Sequence, residues 1–490
     1  MVFAKRNLFG MSKKLNKGFK QKKRQALICV LLAVILATYF VWNGQFFLLL
    51  ALVMVLFIVN ELFLADHNFY PPNSDYSYSF KSDDAQAAEW LVDGLQLKPT
   101  WGLGDYDTAL LATEVKHSFV GKLLDPFVTL RSGGIERQQY FERSVNGLRY
   151  INISEFIHTD EPLDIQTSRC ELTVKNSQLL LFANPSFENK KTLVLAPHAD
   201  DAEIAAFGLY STHDSAIVTL TAGEVDAKAY ESRYTNAQQA SLLKGRLRAW
   251  DSMAVPQWAG LNADDVIQLG YFCLCLKAMH DSPNELIASK TAGVSDTRVF
   301  REFNTHALAS DQHGKSNWVS LVADLTESIE RIKPDVIVTP HLQLDPHEDH
   351  HYTSLALQQA LLQASHQPSD IYCYANHLVT SDIFPFGPEH SLASLVPNVD
   401  DIISLGSVVS LPLNMTTQKN KAAALAMMHD LQTPLRWKKR LRFKLQSWFI
   451  GRGLSPYGDD EFFRKAVRSN EIFYRQSVDD FMQKTTAKKV

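Results

Sequence analysis

Residues 192–203 read Thr-Leu-Val-Leu-Ala-Pro-His-Ala-Asp-Asp-Ala-Glu. An apolar run that stops at a proline and opens into an imidazole and two adjacent carboxylates is the pattern of a buried parallel strand that delivers polar side chains from its carboxyl end. Ala216-Ile-Val-Thr-Leu-Thr-Ala222 and Asp335-Val-Ile-Val-Thr339 repeat the apolar run. Helical stretches lie between, notably Tyr234 to Met253 and Ser316 to Ile332. Strands alternating with helices predict an α/β domain over residues 190–434, built on a Rossmann-like, mostly parallel sheet covered on both faces.

A second polar cluster, His341-Leu-Gln-Leu-Asp-Pro-His-Glu-Asp-His-His351, follows the strand ending at Thr339 just as the first follows Ala196. In an open α/β sheet both loops leave from the same edge, where such sheets bind ligands. A catalytic zinc takes three nitrogen or oxygen ligands and keeps one position open for water, whose pKa falls to about 7. His198, Asp201 and His350 supply that ligand set. Neighbouring side chains in a tight loop point apart, which leaves Asp200 to accept the proton from water. His347 is then placed to stabilise an oxyanion or to protonate a leaving amine. Taken alone, a His-x-Asp-Asp loop is no more than a capped helix start. His341, Glu348 and His351 read as solvated loop residues.

Pro197-His-Ala-Asp-Asp201 together with His347-Glu-Asp-His350 resembles the PIG-L/LmbE family of zinc-dependent N-deacetylases. The resemblance runs from about Lys191 to Gln432 and takes in Thr221-Ala-Gly-Glu224, Arg248-Ala-Trp-Asp251 and His429-Asp-Leu-Gln432. It implies His198, Asp201 and His350 as zinc ligands, Asp200 as general base and His347 as acid or oxyanion stabiliser. It also implies Asp349 as support behind the ligands, Arg248 facing the sugar, and an N-acetylglucosaminyl substrate. Ala199 stands where the family usually has proline, and Ala205-Ala-Phe-Gly208 keeps one glycine of a usual pair.

Upstream, Ala26 to Trp42 and Phe46 to Ala65 are two apolar stretches separated by Asn43-Gly-Gln45. Each approaches the length that spans hydrocarbon as a helix, and Asn-Gly signals a turn. Residues 1–25 are rich in Lys and Arg and contain no acid. The positive-inside rule then predicts a transmembrane hairpin over 26–65 with both ends cytoplasmic, a multi-pass membrane protein whose catalytic domain faces the cytoplasm. The rival topology is a single tilted or cleaved segment that exports the remainder.

Residues 66–84, polar and containing Pro71-Pro72, are expected as a linker. Short alternating runs such as Gly147 to Glu155 and Cys170 to Ala183 predict an accessory antiparallel β domain over 85–189. Tyr140, Phe141 and Tyr150 are its candidates for stacking on sugar, with core packing as the alternative. Residues 435–490 open with Leu435 to Ile450, where bases are interleaved with Trp and Phe; this fits an interfacial helix or a basic helix packed on the body.

The formal charge of −4 gives no global basic field, so composition excludes a broad nucleic-acid-binding surface. Five cysteines without ribbon or disulfide-framework spacing fit a reducing compartment, and Cys273 and Cys275 read as buried strand residues. The expected activity is zinc-dependent removal of an N-acetyl group from an amino sugar, on a lipid-linked or membrane-associated glycan. Two rival classes remain at this stage: a non-catalytic glycan-binding membrane protein, and a metal-dependent hydrolase of another amide or ester.

Overall fold

The apolar runs form the centre of an eight-stranded sheet. The computed structural model describes residues 24–483 except 25, 26, 29, 30, 32, 33, 40, 65–67, 92–94, 99–104, 235, 433 and 434. In chain order the strands are β1 (Tyr78–Phe80), β2 (Asp84–Ala87), β3 (Gln96–Leu97), β4 (Thr108–His117), β5 (Phe127–Ser132), β6 (Ile135–Tyr140), β7 (Asn146–Asn152) and β8 (Leu163–Ser168). There follow β9 (Cys170–Phe182), β10 (Thr192–Ala196), β11 (Ser215–Thr221), β12 (Val266–Tyr271), β13 (Val336–Pro340), β14 (Asp370–Tyr374), β15 (Ile403–Pro412) and β16 (Asn470–Ser477).

The large sheet has the order β1-β15-β16-β14-β13-β10-β11-β12. From β14 through β12 every pair is parallel, whereas β16 runs antiparallel to both of its neighbours. The sheet is therefore mixed. Every residue of β10, β11 and β13 is buried, as expected of strands covered on both faces. Leu193, Leu195, Ala216 and Val218 pack with Trp318, Leu321 and Leu357 on one face. Val194, Ala196 and Ile217 pack with Phe207 and Leu425 on the other. Side-chain amides start the covering helices: Asn236 accepts from the Gln238 amide to cap Ala237–Trp258, and Asn317 accepts from the Ser320 amide to cap Trp318–Ile332.

The ends of the chain enter this sheet. Residues 66–84, expected as a linker, include β1, which pairs in parallel with β15. Residues 435–490, expected to follow the catalytic domain, include β16, which sits between β15 and β14. A short alternating strand carries no signal of where in a sheet it inserts, so a boundary at residue 434 divides one hydrogen-bonded sheet.

The β-rich region forms two four-stranded sheets, β2-β9-β4-β7 and β3-β8-β5-β6. Leu111, Leu179 and Leu181 face Val128, Leu130 and Ile165 between them. Leu110, Leu180 and Phe182 point the other way, into the core shared with the large sheet. Burial on both faces accounts for the uninterrupted Leu179-Leu-Leu-Phe182 run. The aromatic side chains proposed to stack on sugar are packing residues: Phe141 and Tyr150 are buried, and Tyr140 stacks on Phe127 at 4.8 Å.

Phe46–Phe63 is, among the described residues, the one helix long and apolar enough to cross a membrane. The other half of the expected hairpin, residues 26–42, lies partly outside the described residues, and its described positions are helical up to a turn at Asn43-Gly44. Two spans are therefore not established. Of the basic tail, all but Arg24 lies outside the described residues.

Candidate metal centre

The site begins where β10 and β13, adjacent and parallel, reach their carboxyl ends. The chain leaves β10 toward β11 on one side while β13 lies on the other, so the two loops face each other across the point where strand order reverses. The β10 loop carries His198, Asp200 and Asp201; the β13 loop carries His341 and Asp345 and runs into the helix Glu348–Gln363, which holds Asp349 and His350.

Asp201 Oδ2 lies 3.0 Å from His198 Nδ1 and 3.1 Å from His350 Nε2. The far nitrogen of each imidazole is tied to a second carboxylate, His198 Nε2 to Asp349 at 3.0 Å and His350 Nδ1 to Asp345 at 2.9 Å. Two rings held from behind, with their near nitrogens turned on one carboxylate oxygen, form the ligand-and-support arrangement of a metal site. Buried His347 Nδ1 and Asp349 Oδ1 have no hydrogen-bond partner, and the carboxylate at His350 Nε2 is that of Asp201. His198, His347 and His350 bring ligand atoms within 4.8 Å of one another; so do His198, Cys273 and Asp349, and Asp201, His350 and His377. The donor set fits zinc.

Electrostatics follow from the geometry. Burial alone would raise the Asp201 carboxyl, but His350 and His198 hold it well below the usual range. Burial likewise opposes charge on His350, yet Asp201 and Asp345 raise it to about 9. A divalent cation would take over the countercharge that these imidazoles provide. Burial and the neighbouring imidazoles push His347 down to about 3 and His377 to about 4, so both are neutral near pH 7.

Asp200 adopts φ of +114°, rare for any residue but glycine. The turn that lets Asp201 enter the cluster thus turns Asp200 away. Burial pushes its carboxyl up to about 7, with Arg248 opposing the rise and Asp201 and Asp430 adding to it. Arg248 Nη2 donates to Asp200 at 3.1 Å and to the Ala199 carbonyl at 2.7 Å, and its Nη1 donates to Asp430. Arg248, expected to face the sugar, is buried and engaged in holding Asp200; a guanidinium bound on these sides is a positioning group. The same contact explains Gly223, whose φ is +63° and whose Cβ would stand 2.4 Å from Arg248 Nε. His429 pairs with Asp251 at 2.6 Å, so the segments Arg248–Asp251 and His429–Gln432 engage each other twice.

Several residues of the centre escaped the sequence reading. Asp345 lies inside the second cluster, but only the fold shows it behind His350. Asn376 and His377 follow β14, an apolar run ending in polar residues like β10 and β13, which was the available signal. Asn376 Nδ2 donates to Asp201 Oδ1 at 2.8 Å, and the amides of Asn376 and His377 donate to Asp345. Cys273 was read as a strand residue; β12 ends at Tyr271, and Cys273 sits in the following turn, its amide held by Glu224 at 3.1 Å. His341 accepts from the Gln343 and Leu344 amides, and His351 Nδ1 lies 3.3 Å from the Leu342 carbonyl oxygen; both are loop-forming. Glu203 is buried and accepts from the Tyr210 hydroxyl at 3.0 Å.

Among solved structures, N,N'-diacetylchitobiose deacetylase from Pyrococcus horikoshii, bound to its inhibitor MPG, is 13% identical, with 59% of this chain and 84% of that chain covered and a TM-score of 0.31. The zinc-inhibited form of teicoplanin deacetylase Orf2 is also 13% identical, covering 58% of this chain and 97% of that chain with a TM-score of 0.29. GalB, the 4-carboxy-2-hydroxymuconate hydratase from Pseudomonas putida KT2440, is 14% identical, covering 53% and 87% with a TM-score of 0.29. No curated protein matches the chain. The family model of PIG-L, described as GlcNAc-PI de-N-acetylase, matches residues 193–361, the segment that runs from β10 through His350. Residues 193–361, which bring His198, Asp201 and His350 together, are a PIG-L family domain.

Proposed function

We propose that this chain is a zinc-dependent hydrolase that removes the N-acetyl group from an amino sugar, acting at a membrane on a lipid-linked or membrane-associated glycan. One observation carries the reading: His198 and His350, each backed by a carboxylate, converge on Asp201 Oδ2, with the unmatched His347 Nδ1 in the ring beside them. The PIG-L match supports the deacetylase chemistry, and the apolar helix Phe46–Phe63 supports the membrane.

His198, Asp201 and His350 would hold the zinc. When bound, zinc polarises an amide carbonyl and makes water acidic enough to be deprotonated near neutral pH. Asp200 accepts the water's proton, because a carboxyl raised to about 7 is half ionised at neutral pH and holds a proton long enough to pass it on. Arg248 fixes where that carboxylate points. His347, kept neutral, donates an N–H to the oxyanion that forms as water attacks the carbonyl carbon. The C–N bond then breaks and the proton from Asp200 goes to the departing amine, giving acetate and the free amino sugar.

The test is acetate release by the full-length, zinc-loaded protein, with N-acetylglucosaminyl glycolipid, free N-acetylglucosamine and simple acetyl esters as separate substrates. Release from the glycolipid, abolished by chelation and restored by zinc, is the expected result. Turnover of esters alone would assign a different hydrolase, and no turnover with zinc bound would leave a glycan-binding protein.

A further inference from the structure

The apolar helix Phe46–Val59 buries none of its residues against the rest of the chain, and Phe47 is 90% exposed. It ends in a π turn, Asn60–Leu64, in which Glu61 and Leu62 are buried where the helix is not. Glu61 lies within that turn with its side chain almost wholly enclosed and pairs with Arg442 at 2.6 Å. The Glu61 carbonyl accepts from Gln446 at 3.0 Å, and the Leu62 carbonyl accepts from Arg143 at 3.0 Å. Arg442 and Gln446 belong to the helix Trp437–Ile450. Removing one partner of a buried, hydrogen-bonded charge pair leaves an uncompensated charge, so this joint is fixed rather than incidental. Asp125 extends it, accepting from Arg143 and from Arg452 just beyond the helix.

We propose that the helix Trp437–Ile450 lies on the surface of an anionic phospholipid bilayer, held at interfacial depth by its joint to the end of the apolar span. The proposal rests on Phe46–Phe63 crossing the membrane and is independent of the deacetylase reaction. The end of a spanning helix marks the boundary between hydrocarbon and headgroups. A helix joined there by Glu61 shares that depth. It turns Leu445 and Gln446 toward the protein and leaves Trp437, Lys444 and Trp448 on the outer face, at the i, i+7, i+11 spacing of one helical stripe. Trp437 and Trp448 are 76% and 75% exposed. Tryptophan prefers the headgroup level, and lysine and arginine are attracted to an anionic leaflet. A protein partner fits less well, because lysine is depleted from protein interfaces. Leu441, at i+4 in the same stripe, is half-buried, so the exposed members of the stripe are Trp and Lys, suited to lying on a membrane rather than in it.

The helix is also close to the metal centre. Arg440 pairs with Asp459 at 2.7 Å, Asp460 caps the short helix Glu461–Ala466, and Phe462 of that helix packs edge-on against His377. One ion pair and one short helix separate the membrane-facing surface from the cluster.

The test uses full-length protein in nanodiscs of phosphatidylcholine and phosphatidylglycerol, with lipid bromines placed either near the head or near the end of the acyl chains. The fluorescence difference between the parent and a Trp437→Phe, Trp448→Phe variant isolates these two side chains. Loss of that difference signal with head-proximal bromines, and its retention with chain-end bromines, is the expected result. A signal indifferent to bromine, or quenched most by chain-end bromines, overturns the proposal. Hydrogen exchange over 437–450 in the unsubstituted protein gives a second reading: it slows in nanodiscs containing phosphatidylglycerol relative to phosphatidylcholine alone. Equal exchange in the two lipids overturns the proposal as well. Neither readout involves turnover, so failure here is distinct from failure of the deacetylase assignment.

Discussion

Two of the clusters of buried charge in this molecule are finished differently. In the β-rich region Arg149 donates through Nε and Nη2 to Glu142, through Nη1 to the Ser74 and Leu148 carbonyls, and through Nη2 to the Pro72 carbonyl, while its guanidinium lies 4.1 Å from the centroid of the Tyr76 ring. Every N–H of that guanidinium has an acceptor. Between β10 and β13 the charges are as deeply buried, yet His347 Nδ1 and Asp349 Oδ1 are unmatched. A closed cluster fastens chain to chain, here residues 72–76 to the β-rich unit. An open one, with donors converging on a point, is built for something more. Burial of charge is common to both; what differs between these two is whether the polar atoms are satisfied.

Removing a ligand from the open cluster has the largest expected effect. His350→Ala or His198→Ala, measured by elemental analysis of the folded protein, holds no zinc and shows no deacetylation, because two remaining ligands do not retain a catalytic metal. Full zinc content in both variants would break the comparison, since His198 and His350 would then not be ligands.

Asp200→Asn separates metal from chemistry. The amide cannot accept a proton, so turnover falls about 100- to 10,000-fold while zinc stays. Rates within a few-fold of the parent would remove Asp200 from the reaction. Its φ of +114° sharpens the expectation, because strain of this kind persists where the surroundings enforce it.

The strands that carry both motifs were legible, since β10, β11 and β13 are continuous apolar runs with polar residues at their ends, and period and punctuation are local properties. That His198, Asp201 and His350 meet followed once two such loops were set on one edge of the sheet. Asp345, Asn376, His377 and Cys273 did not. Their contribution is made by loops whose meeting depends on strand order, which a single sequence does not encode locally. The same limit hid β16, placed between strands distant in sequence, and hid the contacts of Arg248 with Asp200 and Asp430.

The closed cluster answers to stability instead. Arg149→Met leaves Glu142 buried without its partner, a cost of about 3 to 5 kcal/mol. Thermal unfolding shifts down while zinc content per folded chain is unchanged. Glu142→Leu combined with Arg149→Met regains much of the loss, because the uncompensated charge is gone. A zinc-deficient Arg149→Met protein would show that the two clusters are not separable.

Asp345→Asn gives the smallest effect and the finest discrimination. Asp345 belongs to the open cluster but is itself well matched: Oδ2 contacts His350 Nδ1 and accepts from the Asn376 and His377 amides, and Oδ1 accepts from the His347 amide. An asparagine oxygen in the Oδ2 position still accepts from the Asn376 and His377 amides and only the His347 amide loses its acceptor, so most of the loop's bonds remain and stability changes little. What is lost is the negative charge behind His350, which fixes the ring and strengthens its near nitrogen as a donor. Supports of this kind are worth about 10- to 100-fold in metal affinity. Competition with a chromophoric chelator should show zinc bound more weakly by that factor, with the unfolding temperature close to the parent's. An Asp345→Asn protein that unfolds early and binds zinc as tightly as the parent would place Asp345 with Arg149, as a fastening, and move the edge of the site inward to His350 itself.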